Sequence, residues 1–97
     1  MRIIARRTLR EFWLQHADAE EPLLAWCRDA SRAEWKSPRD IKDIYVNASI
    51  LSGDRVVFNI KGNSYRLVVA VRYDTGIIFV RFIGTHREYD RIDATTI

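Results

Sequence analysis

The 97-residue sequence contains one cysteine, two histidines and two prolines, and these scarcities exclude several classes of protein. The single Cys27 cannot form an internal disulfide, which is typical of proteins in the reducing cytoplasm. One cysteine and two histidines are also too few ligands for a convincing zinc site. We therefore expect a cytoplasmic protein that needs no metal and no cofactor.

Long apolar runs are also missing. The longest are short, such as Leu67 to Val71, whereas a transmembrane helix needs about 20 apolar residues. The segment from Met1 to Arg7 has no apolar stretch of signal-peptide length, and the chain shows no repeat, linker or low-complexity segment. These features predict a single soluble domain over residues 1–97, with no membrane contact.

The composition is that of a globular protein with a modest excess of positive charge. Apolar residues form 47% of the chain and charged residues 30%, with a net charge of +3. Thirteen of the sixteen basic residues are arginine, which makes planar, bidentate contacts with phosphate that lysine cannot make. The net charge permits a polyanionic partner without proving one. A general compositional preference for arginine explains the excess of arginine over lysine equally well.

The first half of the chain reads as a short strand followed by two helices. Arg2 to Ala5 is a short apolar run that predicts a strand. Thr8 to Glu11 matches a capping box, so a helix is expected to begin at Thr8. Acidic residues from Asp18 to Glu21 signal a second helix, expected to reach about Trp35 and to end at Ser37-Pro38. Helical spacing assigns the three tryptophans to the core.

The second half reads as an antiparallel meander. After a short helical turn around residues 41–45 and a loop over residues 47–52, side chains alternate from Asp54 onward. Strands are expected over residues 54–60, 65–73 and 77–83, with hairpin turns at 61–63 and 74–76. Gly84 is expected to break the last strand, and Thr85 to Glu88 is another capping box, which opens a short C-terminal helix.

The predicted fold class is therefore α+β. Two N-terminal helices pack on one face of a twisted antiparallel sheet, and a short helix ends the chain. Residues alternate between the two faces of a strand, so Arg66 projects from the face opposite the main core residues. We expect that second face to form an open, basic cup.

Two segments in the second half of the chain resemble a known protein family. Phe58 to Val68 (FNIKGNSYRLV) and Phe79 to Asp90 (FVRFIGTHREYD) resemble the HigB toxins of bacteria. The N-terminal half agrees in the same order, in the segments Leu9–Trp13, Pro22–Leu23 with Trp26, Trp35–Pro38 and Asp40–Lys42. The resemblance covers nearly the whole chain, and its NIKGN-YRL and GTH-EYD segments are fairly specific.

The resemblance implies a RelE-like fold and an mRNA interferase, the toxin of a type II toxin–antitoxin module. Such toxins cleave mRNA, typically while it is being translated on the ribosome. The implied partners are mRNA, the ribosome and a HigA-type antitoxin with a helix-turn-helix domain. The fold read from the residue pattern agrees independently with the RelE layout.

RNA cleavage without a metal uses the 2′-hydroxyl as nucleophile, and needs a base, an acid and cations for the phosphoryl oxygens. His86 is the first candidate for proton transfer, because its ordinary pKa of about 6.5 suits that task. Tyr89 lies three residues on and can share its face, as a proton carrier or a stacking ring. Arg66 and Arg81 interrupt apolar strands and are the candidates for the phosphate. These four residues form the predicted catalytic group.

Four further residues are predicted to contact RNA, namely Lys61, Asn63, Arg72 and Arg91. Each candidate also has a structural explanation. In the structural explanation, His86 only packs or hydrogen-bonds at the start of a helix, and Tyr89 closes the edge of the core. The two strand arginines form ion pairs, and the hairpin residues only shape their turn. A second arginine cluster, formed by Arg2, Arg6, Arg7 and Arg10, can bind ribosomal RNA or simply be a solvated face. The alternative function is a non-catalytic RNA- or ribosome-binding module.

Overall fold

A computed structural model describes all 97 residues and has two layers. The elements in chain order are β1 (Arg2–Ile4), α1 (Arg6–Gln15), α2 (Glu20–Arg32), α3 (Pro38–Ile44), β2 (Ser49–Ile50), β3 (Arg55–Ile60), β4 (Tyr65–Arg72), β5 (Ile77–Thr85) and α4 (His86–Tyr89). A short 3₁₀ turn, Ala17–Ala19, joins α1 to α2. The five strands form one open sheet in the order β1-β5-β4-β3-β2.

The expected antiparallel meander is confirmed, and one parallel pair is added to it. Strands β3, β4 and β5 pair in antiparallel fashion, as does the short strand β2 with β3. β1 runs parallel to β5 at the edge, with Ile3 aligned with Ile78. The sheet is therefore mixed, because the first strand of the chain pairs in parallel with the last.

One face of the sheet, called here the inner face, carries the main core. Side chains of α1 and α2 pack there, and a single cluster of 17 buried residues joins them to the strands. Trp26 and Trp35 both pack against the Phe58 ring, at centroid distances of 5.4 and 6.2 Å. The prediction that these two tryptophans belong to the core is confirmed, whereas Trp13 is only half-buried.

The opposite, outer face is not the open cup that was expected. The C-terminal residues fold back across it, and a second cluster forms around Val57, Val68 and Ala94, with Phe82 and Tyr89 packed against it. The middle of β4 is therefore buried on both faces. Sequence alternation showed which residues share this face, but it could not show that the end of the chain covers part of it.

Two helix boundaries differ from the prediction. α1 begins at Arg6, two residues before Thr8, and Glu11 forms an ion pair with Arg7 (Nε to Oε1, 2.9 Å) instead of capping the helix. α2 ends at Arg32, and Pro38 begins α3 rather than ending α2. Proline suits the first turn of a helix because the missing N–H has no partner there anyway.

The C-terminal part of the sheet brings one confirmation and one correction. The capping box at Thr85 is present in full. Gly84, however, lies within β5 and does not end it. The glycine is needed because the Phe82 ring folds over it: a Cβ at this position would lie 2.5 Å from Phe82 Cζ and 3.0 Å from Glu88 Oε1.

We expect Gly84→Ala to destabilise the fold by about 1–3 kcal/mol, because the added methyl overpacks the space below Phe82. Urea denaturation measures this cost. In a Phe82→Leu background the smaller side chain leaves room, and the same substitution should cost less. Equal costs in the two backgrounds would show that the Phe82 ring is not the cause.

Candidate active site

The capping box of α4 fixes the place where β5 turns into the last helix. Glu88 N–H donates to Thr85 Oγ1 at 3.1 Å, and Thr85 N–H donates to Glu88 Oε1 at 2.8 Å. The Thr85 N–H lowers the pKa of the Glu88 carboxyl. His86 N–H then donates to the Ser64 carbonyl at 3.2 Å. The start of α4 is thus bound to the β3–β4 hairpin.

His86 is exposed and has a carboxylate beside it. About half of its side chain is accessible, and Nδ1 lies 3.3 Å from Asp90 Oδ2, one helical turn further along α4. A carboxylate at Nδ1 favours the tautomer with hydrogen on that nitrogen and leaves Nε2 free to exchange a proton. The His86 imidazole is thus half-exposed to solvent, with a carboxylate beside Nδ1.

Arg66 lies close to this point and has no acidic partner. In the sheet register it is opposite Gly84 on one side and Asn59 on the other. Its Nη1 donates to the Asn63 and Tyr65 carbonyls, at 3.1 and 3.3 Å. These contacts hold the guanidinium without neutralising it, so Arg66 can bind an anion. The ion pair considered as a structural explanation is absent.

Arg81 lies at an irregularity in the register between β4 and β5. Val68 is aligned with Phe82 and Val69 with Val80, so Arg81 between them has no partner. Such a bulge redirects side chains, and here it places Arg81 above the Phe79 ring, with Cζ 5.5 Å from the centroid. Arg81 lies four positions before Thr85 along β5, or roughly 13 Å. In the register, Arg66 is aligned with Gly84, two residues before His86, whereas Arg81 lies five residues before His86 along the chain.

The other predicted residues fall into different surroundings. Tyr89 packs against the outer-face cluster. Asn63 is exposed in the hairpin, and Arg91 is exposed without an ion pair. Arg72 lies near the opposite end of the sheet, with Nε 3.9 Å from Asp74 Oδ1. Lys61 forms a half-exposed ion pair with Asp18, with Nζ 2.7 Å from Oδ2.

Asp18 is the residue of this region that sequence reasoning missed. Besides Lys61, it accepts a hydrogen bond from the Tyr65 hydroxyl. The hydrogen bond from Lys61, and to a smaller extent the one from Tyr65, lowers the pKa of Asp18. The hydrogen bond to Asp18 raises the pKa of Tyr65. His16 stacks on Phe12 (4.3 Å) and meets the Tyr65 ring edge-on (5.5 Å). No local pattern predicts the contacts of Asp18, because Lys61 and Tyr65 are more than 40 residues away from it in sequence.

Comparison with known proteins decides the family. A model of the HigB toxins, the RelE-like toxic component of a toxin–antitoxin system, matches residues 19–92. The chain belongs to the HigB toxin family. The match includes every residue of the predicted site, from Lys61 to Arg91, whereas α1 lies before it. Membership of this family implies an antitoxin partner and an RNA substrate.

Individual HigB proteins agree with this at low identity. The chain is 24% identical over 92 residues to the mRNA interferase toxin HigB of Escherichia coli K12, and to proteins named mRNA interferase HigB from E. coli O157:H7 and Shigella flexneri. The alignments cover 93% of this chain and 88% of each relative. No helix of the structure is both long enough and apolar enough to cross a bilayer.

The ion pair of Asp18 makes stability depend on pH in acid. Because the pKa of Asp18 is lower in the folded chain than in the unfolded one, the pair stabilises the fold above about pH 4, and this stabilisation is lost as the pH falls through the folded-state pKa. We expect Asp18→Asn to lower stability near neutral pH and to lose less stability than the wild type on acidification.

Urea denaturation near neutrality and in acid, below about pH 4, measures both effects. Asp43→Asn is the matched control, since Asp43 is exposed on α3 and has no ion pair or side-chain hydrogen bond. The interpretation fails if the two variants show the same pH dependence.

Proposed function

We propose that this protein is the toxin of a type II toxin–antitoxin module and an endoribonuclease that cleaves mRNA on the translating ribosome. The observation that carries the proposal is the exposed His86–Asp90 pair, which begins two residues after the register partner of Arg66, a cation with no acidic partner. All three residues lie within the segment matched by the HigB family. The relatives named mRNA interferase favour RNA cleavage over binding alone.

The reaction requires no group beyond the RNA and the side chains. The 2′-oxygen attacks the adjacent phosphorus, the bond to the 5′-oxygen breaks, and a 2′,3′-cyclic phosphate and a 5′-hydroxyl remain. One proton leaves the 2′-hydroxyl and one reaches the departing 5′-oxygen. His86 carries one of these protons at Nε2, and Asp90 stabilises the imidazolium when it forms.

The remaining residues have supporting roles in this proposal. Arg66 stabilises the charge that develops on the phosphoryl oxygens, which is where a preorganised cation is most effective. Tyr89, three residues after His86, contributes its hydroxyl or its ring to the same nucleotide. Arg81 and Arg72 bind the RNA backbone further along the outer face, together with Lys61, Asn63 and Arg91 at the hairpin end.

The proposed partners follow from the same reading. A HigA-type antitoxin with a helix-turn-helix domain neutralises the toxin. The translating ribosome is the second proposed partner and would hold the mRNA while the 2′-oxygen lines up with the bond to be broken.

The first prediction from this function concerns where and when RNA is cut. Mapping the 5′ ends of a reporter mRNA in a translation extract should reveal new ends only when both the toxin and active ribosomes are present. His86→Gln should lower the cleavage rate about 10²–10⁴-fold, the usual range for a general acid or base, and leave the fold unchanged by circular dichroism.

Arg87→Gln is the control, because Arg87 is an exposed neighbour on α4 that has no assigned role. Cleavage by the folded His86→Gln variant at the wild-type rate would remove His86 from the mechanism. If folded wild-type protein produces no new ends but binds ribosomes or RNA, the protein is a non-catalytic binding module. The outer-face pair of Arg81 and Phe79 would suit such a module.

The separation of Arg66 from Arg81 predicts different kinetic effects. Arg66→Ala should reduce kcat about 10²–10³-fold, as the loss of one transition-state donor does. Arg81→Ala should raise KM with little change in kcat, and should reduce the slope of log affinity against log salt by about 1. Single-turnover cleavage at several salt concentrations separates the two effects, and equal losses of kcat would contradict the assignment.

A further inference from the structure

A groove between α1 and α2 has no part in the proposed reaction. Its volume is about 310 Å³, and it is lined by Arg6, Arg7, Arg10, Trp13, Leu24 and Cys27. The groove extends along α1 from Arg6 to Trp13. None of the residues that line it takes part in the proposed reaction.

The charges on the rim of this groove are not neutralised within the chain. Arg6 and Arg10 are exposed and form no ion pair and no side-chain hydrogen bond, while Arg7 contacts only Glu11 of its own helix. The first turn of α1 has no acidic residue. Cations near a helix N-terminus are unfavourable, so these arginines do not serve the stability of α1. They are available to bind carboxylates or phosphates.

The floor of the groove is apolar, and this feature decides between those two ligands. Trp13 is half-buried, Leu24 is 39% exposed, and Cys27 is buried. A nucleic acid binds through phosphates on a basic surface and through bases stacked on accessible aromatic rings. Here the one ring, Trp13, is half-buried and lies beside the aliphatic Leu24. An acidic protein segment can fill the pocket with one large apolar side chain and offer carboxylates to the arginines around it.

We propose that the α1–α2 groove binds an acidic, amphipathic segment of a protein partner. One apolar side chain of that segment lies between Trp13 and Leu24, and its flanking carboxylates pair with Arg6 and Arg10. This surface does not depend on the proposed nuclease activity and does not overlap His86 or Arg66. The antitoxin that the family implies is one source of such a segment.

The test uses defined probes and the full-length chain. A short, fluorescently labelled peptide of glutamate and alanine with one central leucine is titrated by anisotropy, alongside the same peptide with alanine at the centre and an RNA oligonucleotide of equal charge. The leucine peptide should bind, and the alanine peptide should bind at least tenfold more weakly, which is the range expected from losing one buried leucine. The RNA should not compete with the leucine peptide for this site.

Variants distinguish the groove from general attraction to a basic protein. Arg6→Glu combined with Arg10→Glu should weaken the leucine peptide at least tenfold, and Leu24→Ser should abolish its advantage over the alanine peptide. Arg39→Glu and Arg87→Glu, combined in one control variant, make the same charge change at exposed sites outside the groove and should have little effect. Because these substitutions are all at exposed positions, we expect the variants to fold, and circular dichroism verifies this.

Two results would overturn the proposal. Equal binding of the leucine and alanine peptides would show that the apolar floor holds no side chain. Competition by RNA, with the same dependence on Arg6 and Arg10, would make the groove a nucleic-acid surface. The nuclease assay tests the other proposal separately. A protein that cleaves mRNA but does not bind the leucine peptide refutes only the docking site, and a protein that binds the peptide but does not cleave mRNA refutes only the nuclease.

Discussion

The central strand β4 is the element on which the rest of the structure depends. It pairs along its whole length with β5 and over six residues with β3, and its middle is buried on both faces. The helices pack on Leu67, Val69 and Val71, while the C-terminal residues pack on Val68. A strand buried in this way must be apolar throughout. Arg66 and Arg72 can therefore occur only towards its ends, where the coverage stops.

The position of the candidate site follows from that strand. Arg66 lies where β4 begins, and its aligned partner on β5 is Gly84, one residue before the capping box. Because Phe82 folds over Gly84 and Thr85 then begins α4, His86 is held beside the hairpin and not in a free tail. Packing on the outer face and the geometry of the site are therefore coupled through a few consecutive residues of β5.

The two helices separate a second surface from this site. Their apolar stripes face the sheet, whereas the N-terminal turn of α1 keeps three arginines beside an apolar groove. In the two proposals, RNA and the acidic protein segment contact different residues, because none of the residues that line the groove belongs to the candidate active site. The arginines of the two surfaces have different surroundings: Arg66 lies in an open, polar region, while Arg6 and Arg10 surround an apolar pocket.

Much of this could be predicted from local sequence. Alternation placed β3, β4 and β5 and assigned Arg66 to the outer face, since parity along one strand needs no knowledge of its neighbours. The capping box at Thr85 was equally predictable, because its hydrogen bonds join residues three apart. Thr8 has the same signature and is not a cap, because the preceding residues were already helical in the folded chain.

The features that only the tertiary structure decided all join residues that are far apart in sequence. Parity cannot count an extra residue, so the bulge at Arg81, and its distance from His86, became visible only in the paired sheet. The parallel pairing of β1, the return of the C-terminal residues across the outer face, and the contacts of Asp18 with Lys61 and Tyr65 all join distant segments. The sequence by itself determined the main helices and strands and the alternation of side chains along a regular strand, because those are short-range preferences. Which of those side chains meet was decided by packing and strand register.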